Sequence, residues 1–345
     1  QRAAALGSLA LGGGDMRDQG ASGKCSCRCM LSRRSRLDLS RVVEANTEWG
    51  KMVDTIAFVG LGAMGLPMAR NLVQKQFRVV GYDVRPQAVE ALAEAGGHGA
   101  KSAREAAEGA NYLVLMVVNA DQAEEVLITN DALGALAPDA TVILMATCPP
   151  ERVRDIAKRV EATGRTFVDA PVSGGIAGAT AGTLTIMVGA ASEVFSKSKP
   201  VLEAMGSKIY HLGEEPGQGA VMKTINQLLC GVHIATAAEA LALAERAGVD
   251  PTLAHQILSG SAASSWMLQN RGPRMIADDG QVTSALDIFV KDLGIVLEAG
   301  KSLRMGLPLA AAAHQLFIAA SGMGLGGKDD SQVIEIYRAL RGKKS

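Results

Sequence analysis

Three polar residues stand in an apolar segment of the second half of the chain, where a buried helix is expected. Lys223, Asn226 and Gln227 are three and four positions apart within residues 218–247, so on a helix they share one face near its start. Burying a lysine is costly in free energy, and loss of water lowers its pKa toward neutrality. Such an amine suits a general acid/base that exchanges a proton with an alcohol. A lysine that reaches the surface near the helix start is the alternative.

A glycine-rich turn earlier in the chain has the spacing of a phosphate-binding turn. The segment 60–65, Gly-Leu-Gly-Ala-Met-Gly, follows a short apolar run at 56–59 and precedes a helical pattern. In such a unit the first glycine permits a tight turn, the second lets the backbone approach a pyrophosphate, and the third lets helix and strand pack closely. The N–H groups at the helix start attract the phosphates. The dinucleotide contacts predicted from this turn are Gly60, Gly62, Ala63, Met64 and Gly65.

An acidic residue follows the next predicted strand, residues 77–82. Asp83 lies about 20 residues after the glycines, where a carboxylate accepts hydrogen bonds from the adenosine ribose hydroxyl groups. The same negative charge repels a 2′-phosphate, which favours NAD over NADP. Arg85, two positions later, softens that preference, and a role for Asp83 in the turn before Pro86 is the alternative.

Further apolar runs alternate with helical patterns and indicate a doubly wound parallel sheet. The runs are residues 111–118, 141–145 and 166–169, and the alternation is typical of βα units. Ligands bind beyond the carboxyl ends of such strands. Asn119, Gln122 and Thr147 equally suit turns and helix caps. The cofactor contacts predicted here are Val117, Val118, Asn119, Gln122 and Thr147.

Small residues dominate the segment that follows Asp169. Ser173, Gly174 and Gly175 lie in residues 170–182, where many backbone N–H groups are unshielded by side chains. Successive N–H groups and a serine hydroxyl form an anion-binding concavity, so these residues are candidates for holding a carboxylate. A flexible surface loop between a strand and a β-ribbon is the alternative.

A charged pair stands in a predicted helix at 285–303. Lys291 and Asp292 are neighbours in sequence, and adjacent residues on a helix do not face each other. We expect one of the two to point into a cleft, and a solvated pair is the alternative.

The composition is that of a soluble protein and excludes several classes of function. The chain has 345 residues, 35 basic and 35 acidic, with 48% hydrophobic and 3% aromatic residues. This balance gives no indication of nucleic-acid binding, and no uninterrupted apolar run of about 18 residues indicates a membrane span. The length favours two domains. We predict a disordered or artefactual leader at 1–51 (a targeting peptide is the alternative), an NAD-binding Rossmann domain at 52–216, and an all-helical substrate and oligomerisation domain at 217–345.

The five cysteines form no disulfide framework. Cys25, Cys27 and Cys29 lie in the leader, whereas Cys148 and Cys230 are far apart, which favours a reducing cytoplasm. The leader cluster lacks the paired spacing of a zinc site. We therefore predict a cytoplasmic protein without a metal site.

Taken together, these residues resemble the β-hydroxyacid dehydrogenase family, whose members include 3-hydroxyisobutyrate dehydrogenase and tartronate semialdehyde reductase. The resemblance covers about residues 54–340 and rests on four motifs in order. They are the glycine turn at 60–65 with Asp83, residues 169–175 through 182–185, residues 217–219 through 223–227, and residues 291–293.

The resemblance implies an N-terminal Rossmann domain and an all-α C-terminal domain joined by a long helix, with the substrate in the cleft between them. It implies oxidation of a small hydroxy-acid with NAD as cofactor, in a homodimer or homotetramer. The site residues that it implies are Lys223 as catalytic residue, Ser173, Gly174 and Gly175 for the substrate carboxylate, Asn226 or Gln227 for substrate orientation, and Lys291 for the cofactor.

Within the family, residues 227–235, 265–267 and 287–292 look most similar to the subgroup that oxidises four-carbon sugar acids such as L-threonate. Two positions depart from the pattern. The subgroup often has histidine in place of Asn226, and the wider family usually has asparagine in place of Gln227. The activities of 3-hydroxyisobutyrate dehydrogenase and tartronate semialdehyde reductase stay open, as do an NADP-linked aldehyde reductase and a non-catalytic dinucleotide-binding protein.

Overall fold

The computed structural model describes residues 54–277 and 279–339. The predicted leader, with Cys25, Cys27 and Cys29, lies outside the described residues. A sheet with covering helices forms from residues up to 213, and the remainder is helical. The division into domains at 52–216 and 217–345 stays a prediction; the long helix that begins the second half packs directly on the sheet.

Six parallel strands form the main part of the sheet, in the order β3-β2-β1-β4-β5-β6. This is the strand order of the dinucleotide-binding fold, and it confirms the doubly wound prediction. The central strands are buried on both faces, as parallel strands covered by helices must be. The strands are β1 Thr55–Val59, β2 Arg78–Tyr82, β3 His98–Gly99, β4 Tyr112–Leu115, β5 Thr141–Leu144, β6 Thr166–Asp169, β7 Val172–Ser173, β8 Leu184–Gly189 and β9 Gly206–Gly213.

The sheet continues beyond its parallel part with three further strands, β7, β8 and β9. β8 pairs antiparallel with β6 and β7, and β9 pairs parallel with β8. The residues of β9 are mostly exposed or half-buried, so they lack the apolar run by which a buried strand is predicted.

Helices cover both faces of this sheet. Along β4, Leu113 and Leu115 face one hydrophobic core, whereas Tyr112 and Val114 face the other, because successive side chains on a strand point to opposite faces. The covering helices are α1 Gly65–Gln74, α2 Pro86–Glu94, α3 Ala103–Ala107, α4 Ala120–Glu124 with a π-helical turn at Glu125–Thr129, α5 Ala132–Ala135, α6 Pro150–Glu161, α7 Gly175–Ala181 and α8 Ser192–Met205.

The long helix α9 has the bounds that the sequence predicted, Gln218–Ala247. It begins after Gly217 at φ +95° and ends before Gly248 at φ +78°, both left-handed conformations that suit glycine. α9 packs on β8 and on the helices that follow it. Those are α10 Pro251–Ser259, α11 Trp266–Ile276, α12 Leu286–Ser302, α13 Pro308–Ala320 with a π-helical turn at Ser321–Leu325, a 3₁₀ turn at Asp330–Ile334 and α14 Glu335–Ala339.

By length and composition α9 is apolar enough to cross a membrane, and it is the one such helix among the residues described. Its polar side chains Lys223, Thr224 and Gln227 are buried within the fold. Core helices of water-soluble proteins have the same length and apolar character, so α9 supports no membrane assignment.

Candidate active site

The turn between β1 and α1 has the shape that the glycine spacing predicts. Gly60 has φ +96°, and a Cβ there would overlap the Met116 carbonyl. A Cβ on Gly65 would overlap the carbonyl of Gly60. Neither position therefore accepts a side chain. A Cβ on Gly62 would meet, among the described residues, only the Arg85 guanidinium at 3.7 Å, so the backbone at Gly62 is bare toward a ligand.

The start of α1 fits a pyrophosphate. No side chain caps this helix, and its first turn holds no acidic residue. Leu66 N and Met68 N already donate to Gly62 O and Met64 O, and Pro67 has no N–H. The N–H groups available to phosphate oxygens are therefore those of residues 63–65, for which the described chain holds no backbone acceptor. Ala63 is exposed and Met64 half-buried beside them. The residues present therefore fit NAD, whose pyrophosphate the segment 60–65 would hold.

Asp83 follows β2 and closes over the glycine turn. Its Oδ2 accepts from Leu61 N at 2.8 Å, and its Oδ1 accepts from Arg85 N at 2.9 Å. The Arg85 side chain donates to both oxygens, through Nε at 2.9 Å and Nη2 at 3.2 Å. Burial alone would raise the pKa of Asp83, but the hydrogen bonds from Arg85 and Leu61 outweigh it and hold the pKa below its ordinary value. Asp83 is therefore ionised and pinned at the ribose end of the turn.

Residues after β4 form a self-contained turn. Asn119 caps α4 by accepting from Gln122 N at 2.9 Å, and Gln122 Oε1 accepts from Val118 N at 2.9 Å. The turn and cap roles left open for Asn119 and Gln122 are thus seen here. Val117 is half-buried and Val118 is exposed, and their contact with a cofactor stays a prediction.

The small-residue segment after Asp169 is more ordered than its composition suggests. Ser173 ends β7 opposite Thr185 of β8, and α7 begins at Gly175, so the flexible-loop alternative is wrong. Gly174 has φ +136° and Gly175 has φ +62°. Nothing described lies within 4 Å of a Cβ on Gly175, which leaves the backbone there open to an anion.

Lys223 lies in the buried face of α9, with only 7% of its surface exposed. Within the described chain, no hydrogen bond or ion pair engages its ammonium group, which leaves it available to a substrate. Burial has the largest influence on the pKa of Lys223 and lowers it below the ordinary value. The negative charge of Asp292 opposes this shift, whereas the positive charge of Lys291 adds to it. The surface-lysine alternative is therefore wrong.

Lys291 and Asp292 do contact each other, contrary to the expectation from their adjacency. Lys291 Nζ lies 2.7 Å from Asp292 Oδ1, because the long lysine side chain curls back over its own helix. The same Nζ donates to Thr147 O at 3.1 Å. On its other oxygen, Asp292 accepts from Gln227 Nε2 at 2.5 Å. A continuous polar chain therefore links Thr147, beyond β5, to the helix turn that carries Lys223.

Asn226 is half-buried on the same side of α9. Its Oδ1 accepts from the Cys230 thiol at 3.7 Å, an i to i+4 contact that orients the amide. Burial raises the pKa of the Cys230 thiol, so this thiol is a neutral donor. Asn226 remains a candidate for orienting a substrate.

Two residues of this region were not assigned roles by the sequence. Asp292 was considered only beside Lys291, and the signal that could have found it was an acidic residue on the apolar side of a helix. Asp169 was seen as a strand end, yet its carboxylate accepts from Gly217 N and Ala220 N at the start of α9. Ser173 makes no direct hydrogen bond to Lys223 or Gln227 within the described chain. Asp169 instead joins the end of β6, which precedes Ser173, to the start of α9, which carries Lys223.

Metal binding is not indicated by this geometry. Across residues 54–277 and 279–339, no group of three or more His, Cys, Asp or Glu side chains could hold an ion. The leader cysteines lie outside these ranges.

Known proteins match this chain over most of its length. The model of the NAD binding domain of 6-phosphogluconate dehydrogenase matches residues 55–213, and that of the NAD-binding of NADP-dependent 3-hydroxyisobutyrate dehydrogenase matches residues 217–337. L-threonate dehydrogenase of Cupriavidus necator is 44% identical over 84% of this chain and 98% of its own. 3-Hydroxyisobutyrate dehydrogenase of Pseudomonas aeruginosa is 38% identical over 82% and 98%. The crystal structure of a Salmonella typhimurium 3-hydroxyisobutyrate dehydrogenase is 40% identical, covers 82% of this chain and 99% of its own, and superposes with a TM-score of 0.79.

Proposed function

We propose that this chain oxidises a hydroxyl group of a four-carbon sugar acid such as L-threonate. The chain belongs to the β-hydroxyacid dehydrogenase family, which includes 3-hydroxyisobutyrate dehydrogenase. Family membership makes it an NAD-dependent hydroxy-acid dehydrogenase. The choice of substrate is supported by several relatives called L-threonate dehydrogenase, which are 38–44% identical over nearly their whole length.

The observation that carries the proposed chemistry is the buried amine of Lys223. Its pKa is lowered by burial, so a larger fraction of the side chain is neutral near physiological pH and able to accept a proton. A chain of polar contacts connects the helix turn that carries Lys223 to the edge of the sheet where cofactors bind. It runs from Gln227 through Asp292 and Lys291 to Thr147.

In the proposed reaction, Ser173 and the backbone N–H groups of Gly174 and Gly175 hold the substrate carboxylate. Asn226 or Gln227 orients the hydroxylated chain. Lys223 takes the proton of the reacting hydroxyl, and in the reverse direction its ammonium stabilises the negative charge on oxygen. NAD, when bound, supplies the hydride acceptor.

Substrate choice is tested by NADH formation with L-threonate, D-threonate, D-erythronate, 3-hydroxyisobutyrate, D-glycerate and L-serine. We expect the highest kcat/KM with L-threonate. Preferred turnover of 3-hydroxyisobutyrate or D-glycerate would keep the reaction and discard the four-carbon acid.

We further infer a cytoplasmic homodimer or homotetramer. Val221, Ile225 and Leu229 form an exposed apolar stripe on α9, with Ile225 51% exposed, and such stripes typically mark protein contacts. Buried free thiols at Cys148 and Cys230 suit a reducing compartment. Light scattering on the purified protein tests the assembly, and we expect Ile225→Glu to shift it toward monomer. A monomeric wild-type protein would contradict this inference.

A further inference from the structure

Asp169 stands between the two parts of the proposed site. As the last residue of β6, its backbone is held on both sides, opposite Leu144 of β5 and Gly189 of β8. Its side chain is only 1% exposed. Oδ2 accepts from Gly217 N at 2.9 Å and from Ala220 N at 2.8 Å. One carboxylate oxygen therefore ties the end of a central strand to the first turn of α9.

The start of α9 packs so closely against the ends of the strands that no side chain fits at Gly219. A Cβ on Gly219 would overlap the Met187 carbonyl and would lie 2.9 Å from Asp169 O and 3.0 Å from Asp169 Oδ2. The N–H groups of a first helical turn need partners and carry partial positive charge. A carboxylate at this point satisfies both requirements, so it fixes where α9 begins and how it is oriented.

We propose that Asp169 is a positioning residue that fixes Lys223 relative to the Ser173–Gly175 carboxylate loop. Lys223 lies one helical turn beyond Ala220, whose N–H Asp169 holds. Ser173 lies four residues beyond Asp169, across a short segment that ends in β7. Both connections are short and ordered, so loss of the hydrogen bonds that Asp169 accepts would let the helix that carries Lys223 shift relative to the carboxylate loop. This inference rests on the proposed function.

The ionisation state of Asp169 adds a second readout. Burial raises the pKa of Asp169 to about 7, against the opposing effect of the backbone hydrogen bonds and of Arg154. Cys148 is the other titratable neighbour, with its own pKa raised by burial to about 12, so it stays neutral. Oδ1 has no hydrogen-bond partner within the described residues. Protonation of Asp169 weakens its hold on the start of α9, so activity should fall in acid.

Stability should move in the opposite direction. Because the folded pKa of Asp169 lies above the value of an unfolded aspartate, its contribution favours the folded state at low pH and is lost as pH rises through about 7. Loss of activity in acid therefore cannot arise from unfolding through this group.

The test compares wild type, Asp169→Asn, Asp169→Glu and Lys223→Ala with the hydroxy-acid that wild type turns over fastest. Two ionisations, of Lys223 and Asp169, should make the acid limb of wild-type kcat/KM steeper than the slope of about one that a single ionisation gives, and this extra steepness should be lost in Asp169→Asn. We expect kcat to fall about tenfold to a hundredfold in Asp169→Asn, the scale of a misplaced catalytic group. NADH binding, measured by fluorescence titration, should stay within about twofold because the Asp169 side chain accepts, within the described chain, from Gly217 N and Ala220 N and from no proposed cofactor residue. Asp169→Glu keeps the charge but moves it, so kcat should fall while the steep acid limb remains.

Asp250 provides the matched control. It caps α10 by accepting from Leu253 N at 2.8 Å, away from the proposed site. We expect Asp250→Asn to lower stability without changing the acid slope or kcat. A wild-type kcat in Asp169→Asn, with an acid limb as steep as that of the wild-type protein, would overturn the positioning role. Wild-type turnover in Lys223→Ala would instead overturn the proposed role of Lys223 in proton transfer, and absence of turnover of every hydroxy-acid by the wild-type protein would overturn the proposed function.

Discussion

Gln227 Nε2 donates to Asp292 Oδ2 at 2.5 Å, and both side chains are almost fully buried. This bond joins α9 to α12 one turn beyond Lys223. It also brings a negative charge close enough to Lys223 to oppose the lowering of the lysine pKa. Asp292 therefore orients Gln227 and opposes the effect of burial on the pKa of Lys223.

Replacing Asp292 should change the pH profile in a defined direction. In Asp292→Asn the charge that raises the pKa of Lys223 is removed, while that of Lys291 remains and lowers it. We expect the Lys223-controlled part of the acid limb of kcat/KM to move to lower pH. Asp287→Asn, which removes an exposed acid from the same helix, is the control and should leave the profile in place. An acid limb that stays put or moves to higher pH in Asp292→Asn would contradict the role of this charge.

Arg85 should control how strongly the site prefers NAD. The two oxygens of Asp83 accept four hydrogen bonds, from Leu61 N and from Arg85 N, Nε and Nη2, which fills the acceptor sites of a carboxylate. Ribose hydroxyl groups must therefore displace the exposed Arg85 side chain, which is also the nearby positive group for a 2′-phosphate.

In Arg85→Ala, we expect tighter NADH binding and weaker NADPH binding. The ratio of the two dissociation constants should change by about tenfold, the scale of one charge-assisted hydrogen bond. Fluorescence titration with each reduced cofactor measures this ratio. Arg70→Ala, which removes an exposed arginine from α1, is the control, and an unchanged ratio in Arg85→Ala would remove Arg85 from cofactor selection.

A buried ion pair in the helical half should contribute strongly to stability. Arg271 donates to both oxygens of Asp330, at 2.8 and 2.9 Å, and both side chains are buried. Arg271→Ala leaves the Asp330 charge without its partner, and breaking such a pair costs about 3–5 kcal/mol. Urea denaturation measures the loss. Lys199→Ala, which breaks the exposed 3.6 Å pair with Glu203, should cost about 0–1 kcal/mol, and equal losses in the two variants would contradict the argument.

Local patterns were enough to predict the cofactor turn and the long helix. The glycines at 60, 62 and 65 and the apolar run before them specify a strand, a tight turn and a helix within a few residues of one another. The bounds of α9 follow from glycines in left-handed conformations at both ends. In each case the physical cause lies in neighbouring residues, so the sequence contains it.

The contacts that arrange the site were not predictable in the same way. Asp169 and Ala220 are 51 positions apart, and Gln227 and Asp292 are 65 apart. No periodicity links such pairs. The rule that adjacent helical residues diverge failed for Lys291 and Asp292, since it describes Cβ directions and the lysine stem is long enough to curl back. The edge strand β9 was missed because its side chains are mostly exposed.

Proton transfer by Lys223 is the central claim, and its most direct test is kcat of Lys223→Ala with the best hydroxy-acid, measured alongside NADH binding. We predict a fall in kcat of about a hundredfold or more, the scale of general acid/base catalysis, with cofactor affinity unchanged. A kcat within about twofold of wild type would contradict the assignment, because general acid/base catalysis typically contributes about a hundredfold or more.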